Sequence, residues 1–184
     1  METLFNSFLL VFAGEMGDKT QLLSLLLVSR YKKPWTILLG VFIATILNHS
    51  LASGLGAWVS TLVDPHTLTW ILGFTFIGFA FWVLISDKEE ELESANPMNV
   101  LFTTITAFFL AEMGDKTQLA TVALGAQYSS IYLVSIGSTL GMMGSNALAI
   151  FLGKKLLQKL DMKWVRRTAS LLFLIFGVVI LLRQ

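Results

Sequence analysis

Cysteine is absent from this chain of 184 residues, and charged residues make up only 14% of it. Without cysteine the chain can form no disulfide bond, no thiolate nucleophile and no cysteine-ligated zinc or iron–sulfur site. Because soluble domains are about a quarter charged, this composition leaves too few charges to cover a water-exposed globule. The net charge of +1 gives no bulk electrostatic basis for binding nucleic acid, so we predict no nucleic-acid partner.

Hydrophobic residues are abundant instead, at 55% of the sequence, and the mean hydropathy is +0.73. Because about 20 apolar residues cross the hydrocarbon core of a bilayer as a helix, the apolar runs predict six transmembrane helices. The approximate runs are Leu4–Ser29, Pro34–Leu62, Leu68–Ile85, Met98–Ala126, Ile131–Leu152 and Val165–Leu182. The sequence therefore predicts an all-α, multi-pass integral membrane protein embedded in a lipid bilayer.

Lysine and arginine are distributed unevenly between the two sides of the predicted membrane. Ten of the 13 lie in the loops after runs one, three and five, whereas the opposite side carries only Arg183. Since cytoplasmic loops are enriched in these residues, the side with ten is predicted to face the cytoplasm. Both termini are then expected outside the cytoplasm.

One segment of eight residues occurs twice in the chain. Glu15–Leu22 recurs unchanged as Glu112–Leu119, 97 residues later. We therefore predict two three-helix repeats, residues 1–85 and 98–184, joined by an acidic cytoplasmic linker, residues 86–97. Because three spans are an odd number, the second repeat would cross the membrane in the opposite sense. Such inverted repeats are typical of secondary transporters, which bind substrate near the midplane between the halves.

Four carboxylates, Glu15, Asp18, Glu112 and Asp115, fall near the middle of runs one and four. An ionised residue at that depth costs about 2.5–3.5 kcal/mol, so these groups should face an interior or a wet cavity. On a continuous helix, each glutamate shares a face with the aspartate three residues later and the lysine four residues later, and the following threonine points away. Clustered oxygen ligands suit Ca²⁺, Mg²⁺ or Mn²⁺.

Further polar residues extend the predicted metal site. Amide side chains near the carboxylates or in runs two and five join the predicted ligands: Gln21, Gln118, Asn48 and Asn146. Gly17 and Gly114, beside the aspartates, are predicted to let the helix open locally, as in broken transporter helices. Two alternatives stay open: structural ion pairs Glu15–Lys19 and Glu112–Lys116, and a role for His49 as an interhelical hydrogen bonder, a ligand or a proton relay.

The twin segments Glu-Met-Gly-Asp-Lys-Thr resemble the Glu-x-Gly-Asp-(Lys/Arg)-(Thr/Ser) signature of the Golgi-type calcium/manganese:proton antiporters. The resemblance covers essentially the whole chain, and neither copy departs from the signature. This compact chain is most similar to members from bacterial inner membranes, several of which are manganese exporters. The resemblance implies that Glu15, Asp18, Glu112 and Asp115 bind the transported cation.

From these observations we predict a divalent cation/proton antiporter that exports Mn²⁺, or Ca²⁺, from the cytoplasm by alternating access. It needs no prosthetic group, is not an enzyme, and is expected to be a monomer or a homo-oligomer in a bacterial inner membrane. The alternative is a passive divalent-cation channel that uses the same acids as a selectivity ring. An intramembrane enzyme is disfavoured because no nucleophile and base accompany the acids.

Overall fold

The computed structural model describes residues 1–85, 99–157 and 161–182, and these residues form eight helices and no strand. The predicted all-α class is confirmed, whereas the predicted linker, residues 86–97, lies outside the described residues. In chain order the helices are α1 Glu2–Glu15, α2 Lys19–Tyr31, α3 Pro34–Val59, α4 Pro65–Trp82, α5 Val100–Glu112, α6 Lys116–Tyr128, α7 Ile131–Leu157 and α8 Met162–Leu182.

Three of the described helices are long and apolar enough to cross a membrane. They are Pro34–Val59 of α3, Ile131–Gly153 of α7 and Met162–Leu182 of α8, and α5 is a shorter apolar helix. Large apolar side chains cover the outer surface, where Tyr132 is 82% and Trp35 is 72% exposed. Because such a surface is unfavourable in water but favourable against lipid, the helices are those of an integral membrane protein.

The first and fourth apolar runs are each broken into two helices. Gly17 separates α1 from α2 with a φ of +82°, and Gly114 separates α5 from α6 with a φ of +80°. Side chains of L-residues disfavour this backbone region, which glycine adopts freely. The prediction that these glycines open the helix is confirmed. The expectation that each Glu, Asp and Lys share one face of a continuous helix is wrong, because no helix continues through residues 16–18 or 113–115.

Helices of the two sequence halves pack through equivalent contacts. Gly40 of α3 lies against α5, where a Cβ atom would be 3.3 Å from the carbonyl oxygen of Leu101. Gly137 of α7 lies against α1, where a Cβ atom would be 2.5 Å from the carbonyl oxygen of Leu4. The residues of the second contact are equivalent to those of the first under the 97-residue repeat. Glycine at both positions therefore permits the same close approach of two helices.

Some residues also contact their own equivalents. Thr45 Oγ1 lies 3.0 Å from Met142 Sδ, and the rings of Phe76 and Phe173 stack with centroids 6.3 Å apart. These contacts bring equivalent positions of the two sequence halves together.

Candidate metal centre

The two helix breaks bring acidic residues to four helix ends. Glu15 is the last residue of α1 and Glu112 the last of α5, while Asp18 and Asp115 are the N-caps of α2 and α6. A helix N-terminus carries a partial positive charge, which favours a carboxylate there. Each break therefore places one carboxylate at the end of a helix and one at the start of the next.

Three of the four carboxylates come together in one place. Glu15, Glu112 and Asp115 each offer one oxygen, and these three oxygens lie within 4.8 Å of one another. Oxygens on opposite sides of a Ca²⁺ ion are about 5 Å apart at ordinary bond lengths, so these three fit around one ion. Glu15 and Glu112 are fully buried and Asp115 is only 8% exposed. The cluster therefore combines both motif copies in one small buried site.

The hydrogen bonds leave part of this cluster unsatisfied. Thr20 Oγ1 donates to Glu15 Oε2 at 2.6 Å, and Thr117 Oγ1 lies 3.3 Å from Glu112 Oε2 and 3.4 Å from Asp115 Oδ2. The other oxygens, Oε1 of Glu15 and Oε1 of Glu112, are buried and have no hydrogen-bond partner among the described residues. Because a buried oxygen without a partner is unfavourable, both atoms are suited to bind a cation or a proton.

These threonine contacts contradict the expectation that Thr20 and Thr117 point away from the acids. That expectation assumed a continuous helix, whereas the break at residues 16–18 turns Thr20 back towards Glu15. The contacts of these threonines with the acids are what sequence reasoning missed. The signal that could have found them was the glycine between the glutamate and the threonine, since a break there changes which residues face each other.

Asp18, Lys19 and Lys116 lie around the cluster in an arrangement that the spacing along one continuous helix did not predict. Asp18 is partly exposed and does not belong to the group of three oxygens. Lys19 Nζ lies 3.6 Å from Asp115 Oδ1, an ion pair between the two motif copies. Lys116 Nζ donates to the carbonyl oxygen of Ile85 at 3.1 Å. Lys19 of the first motif copy thus pairs with Asp115 of the second, and its positive charge lies beside the carboxylate cluster.

The two predicted glutamine ligands accept hydrogen bonds across the helix breaks. The backbone N–H of Gly17 donates to Gln21 Oε1 at 2.9 Å, and that of Gly114 donates to Gln118 Oε1 at 2.6 Å. These amide oxygens therefore accept backbone hydrogen bonds in this conformation. Since each bond spans the break in its own motif copy, the glutamines fix the turn that positions the neighbouring aspartate.

The predicted asparagines lie fully buried on α3 and α7. Asn48 Nδ2 donates to the carbonyl oxygen of Phe109 at 3.1 Å, and Asn146 Oδ1 accepts from Ser24 Oγ at 2.6 Å. Asn48 Oδ1 and both ring nitrogens of the adjacent His49 are buried without a partner in the described part of the chain. The asparagines therefore differ, because Asn146 is bonded through its oxygen and Asn48 is not.

Comparisons with known proteins agree with an ion-handling centre. The model of the family described as "Divalent cation/proton antiporter GDT1" matches residues 3–91 and 100–184. A Vibrio cholerae protein named "Putative manganese exporter" is 42% identical over 179 residues, which cover 97% of this chain and 90% of that protein.

More distant relatives come from plants and cyanobacteria. "GDT1-like protein 3" of Arabidopsis thaliana is 31% identical over 206 residues, which cover 96% of this chain and 69% of that protein. A GDT1-like protein of Synechocystis is 27% identical over 202 residues, which cover 97% of each chain. No solved structure matches the chain.

Proposed function

Because the chain belongs to the GDT1 family of divalent cation/proton antiporters, we propose that it exports Mn²⁺ from the cytoplasm in exchange for protons. The observation that carries this proposal is the cluster of Glu15, Glu112 and Asp115, whose oxygens lie within 4.8 Å of one another. Mn²⁺ is proposed as the cargo because the Vibrio cholerae relative is named as a manganese exporter. Ca²⁺, which takes the same oxygen ligands, is the second candidate cargo.

In the proposed site, Glu15, Glu112 and Asp115 bind the cation directly, and Asp18 supplies a fourth carboxylate when the ion is bound. Gln21, Gln118 and Asn146 act on the shape of the site, whereas Asn48 is kept as a proposed ligand because its Oδ1 has no partner among the described residues. The support for this division is that three amide oxygens already accept hydrogen bonds from the protein, those of Gln21, Gln118 and Asn146.

The exchange follows from competition for the same oxygens. Three carboxylates so close together, and out of water, repel one another strongly, and Lys19 supplies only one positive charge beside them. Either a divalent cation or protons can provide the remaining positive charge, but both cannot occupy the same oxygens. If the halves move only when the cluster is neutralised, each cation carried one way is matched by protons carried the other way. A coupled exchange then needs no separate proton site.

The proposed architecture is six spans in two inverted repeats, residues 1–85 and 98–184, in a bacterial inner membrane. Spans one and four are the helix pairs α1–α2 and α5–α6. Two findings support it: the contacts between equivalent residues, such as Thr45 with Met142, and the family model matching on both sides of the linker. Alternating access would then be a movement of one repeat against the other around the carboxylates.

The function is tested in proteoliposomes that contain a metal-sensitive dye and a pH-sensitive dye. Adding Mn²⁺ outside should drive Mn²⁺ uptake together with alkalinisation of the lumen, and an outward proton gradient should accelerate the uptake. Repeating the measurement with Ca²⁺ ranks the two cations. Metal flux that is indifferent to pH would instead indicate the channel alternative, and no flux of either metal would contradict both functions.

The orientation is tested with single cysteines, because the chain has none of its own. With both termini outside the cytoplasm, a cysteine at Thr67 should react with a membrane-impermeant thiol reagent in intact cells. A cysteine at Ser94, in the linker, should react only after the membrane is permeabilised. The reverse pattern would invert the topology, and the cysteine-free parent is the control for background labelling.

A further inference from the structure

Polar side chains join α2 to α7 just beyond the carboxylates. Gln21 Nε2 donates to the carbonyl oxygen of Ser145 at 2.8 Å and lies 2.7 Å from its hydroxyl oxygen. One turn further along α2, Ser24 Oγ donates to Asn146 Oδ1 at 2.6 Å. All four side chains are buried. We refer to these bonds, between Gln21 or Ser24 and Ser145 or Asn146, as the α2–α7 polar contact.

The equivalent contact between α6 and α3 is not made. Under the 97-residue repeat its members would be Gln118 and Thr121 of α6 with Asn48 and His49 of α3. Thr121 Oγ1 donates instead to the carbonyl oxygen of Thr117, within its own helix, at 2.7 Å. Asn48 Oδ1 and both nitrogens of His49 are left buried without a partner in the described ranges. Buried polar atoms of this kind destabilise a structure unless another conformation pairs them.

Where the polar contact is missing, α6 packs directly on the backbone of α3. A Cβ atom on Gly56 would lie 2.7 Å from the backbone nitrogen of Ala126, and one on Gly125 would lie 2.7 Å from Ser53 Cα. At the end of this interface the hydroxyl oxygens of Ser60 and Ser129 are 3.1 Å apart.

The α2–α7 pair lacks this close packing at the matching place. Gly153 of α7 is the equivalent of Gly56, but the backbone of α7 is not helical there, with a φ of +65°, and no described atom lies within 4 Å of where its Cβ atom would be. Gly125 and Ser53, which make the close packing in the other pair, have the larger Val28 and Ile150 as their equivalents. The two helix pairs therefore differ: α2–α7 has the polar contact, and α3–α6 has close backbone packing without it.

We propose that the polar contact alternates between the two helix pairs as the protein carries its cation across the membrane. In the second conformation Gln118 and Thr121 bond to Asn48 and His49, while α2 leaves Ser145 and Asn146. That conformation then pairs the polar atoms of Asn48 and His49 that are buried without a partner among the described residues in the present one. The proposal rests on the proposed transport function, and it makes these side chains positioning residues that act through the helices holding the carboxylates.

A disulfide between Ser60→Cys and Ser129→Cys tests whether α6 must leave α3. The two hydroxyl oxygens are close enough for cysteine sulfurs to bond with little adjustment. Oxidation of the double variant should stop Mn²⁺/proton exchange in proteoliposomes, and a reducing agent should restore it. Both single variants should be unaffected by either treatment. Full exchange by the cross-linked protein would overturn the proposal, while exchange by the reduced form shows that the transport function itself is intact.

Discussion

Replacing Glu15 by glutamine should abolish the coupled movement of metal and protons. The substitution keeps the size of the side chain and one oxygen that can accept the Thr20 hydrogen bond. It removes a negative charge from the three-carboxylate cluster and an atom that can take up a proton. Loss of an outer-sphere partner already lowers metal affinity by roughly 10–100-fold, and loss of a direct ligand should exceed that range. The measurement is Mn²⁺ uptake with lumen alkalinisation in proteoliposomes.

The equivalent substitution Glu112→Gln should have the same effect, because Glu112 contributes the matching oxygen from the second motif copy. Asp64→Asn is the matched control. Asp64 caps α4 by accepting a hydrogen bond from the Thr67 backbone at 2.9 Å, and an asparagine oxygen can accept it equally well. All three variants should reach the membrane in similar amounts. Normal Mn²⁺/proton exchange by either glutamine variant would contradict a role of the carboxylate cluster in transport.

The sequence was sufficient to predict that acids of the two motif copies meet, but not that Asp18 lies outside the group of three, nor how the backbone lets the others meet. Two identical segments 97 residues apart, each with acids at mid-span, predicted one shared site, and Glu15, Glu112 and Asp115 do lie together. The helical spacing used to arrange them was wrong, because spacing along a helix has no meaning across a break. Whether a glycine beside an aspartate adopts a positive φ depends on bonds such as that from Gly17 to Gln21, which a hydropathy pattern does not contain.

The difference between the two motif copies could not be predicted at all. A Cβ atom on Gly17 would lie 2.6 Å from Met162 Sδ, whereas no atom of the described residues lies within 4 Å of the same position on Gly114. The eight-residue segments that contain these glycines are identical, so no local propensity can distinguish them. The asymmetry arises from where α8 packs.

Substituting Gly114 with alanine should strongly reduce Mn²⁺/proton exchange, because the added Cβ atom makes the backbone conformation at this position unfavourable. Within the described ranges no atom lies within 4 Å of an added Cβ atom, so the methyl group meets no steric obstacle there, but the φ of +80° is unfavourable for alanine. An L-residue in a left-handed conformation costs about 1–2 kcal/mol, which corresponds to a five- to thirtyfold loss of the broken conformation. Because Asp115 follows this residue directly, straightening the break would move it from the cluster.

Two further variants make this test specific to the helix break. Gly78 of α4 also has open space around it, but it lies in a regular helix, so Gly78→Ala should leave exchange unchanged and stabilise the helix slightly. Asparagine tolerates positive φ better than alanine, so Gly114→Asn should retain more exchange than Gly114→Ala. That order, glycine above asparagine above alanine, follows only if the turn itself holds the carboxylate in place. Equal rates for all three would mean that Asp115 reaches its position without the break.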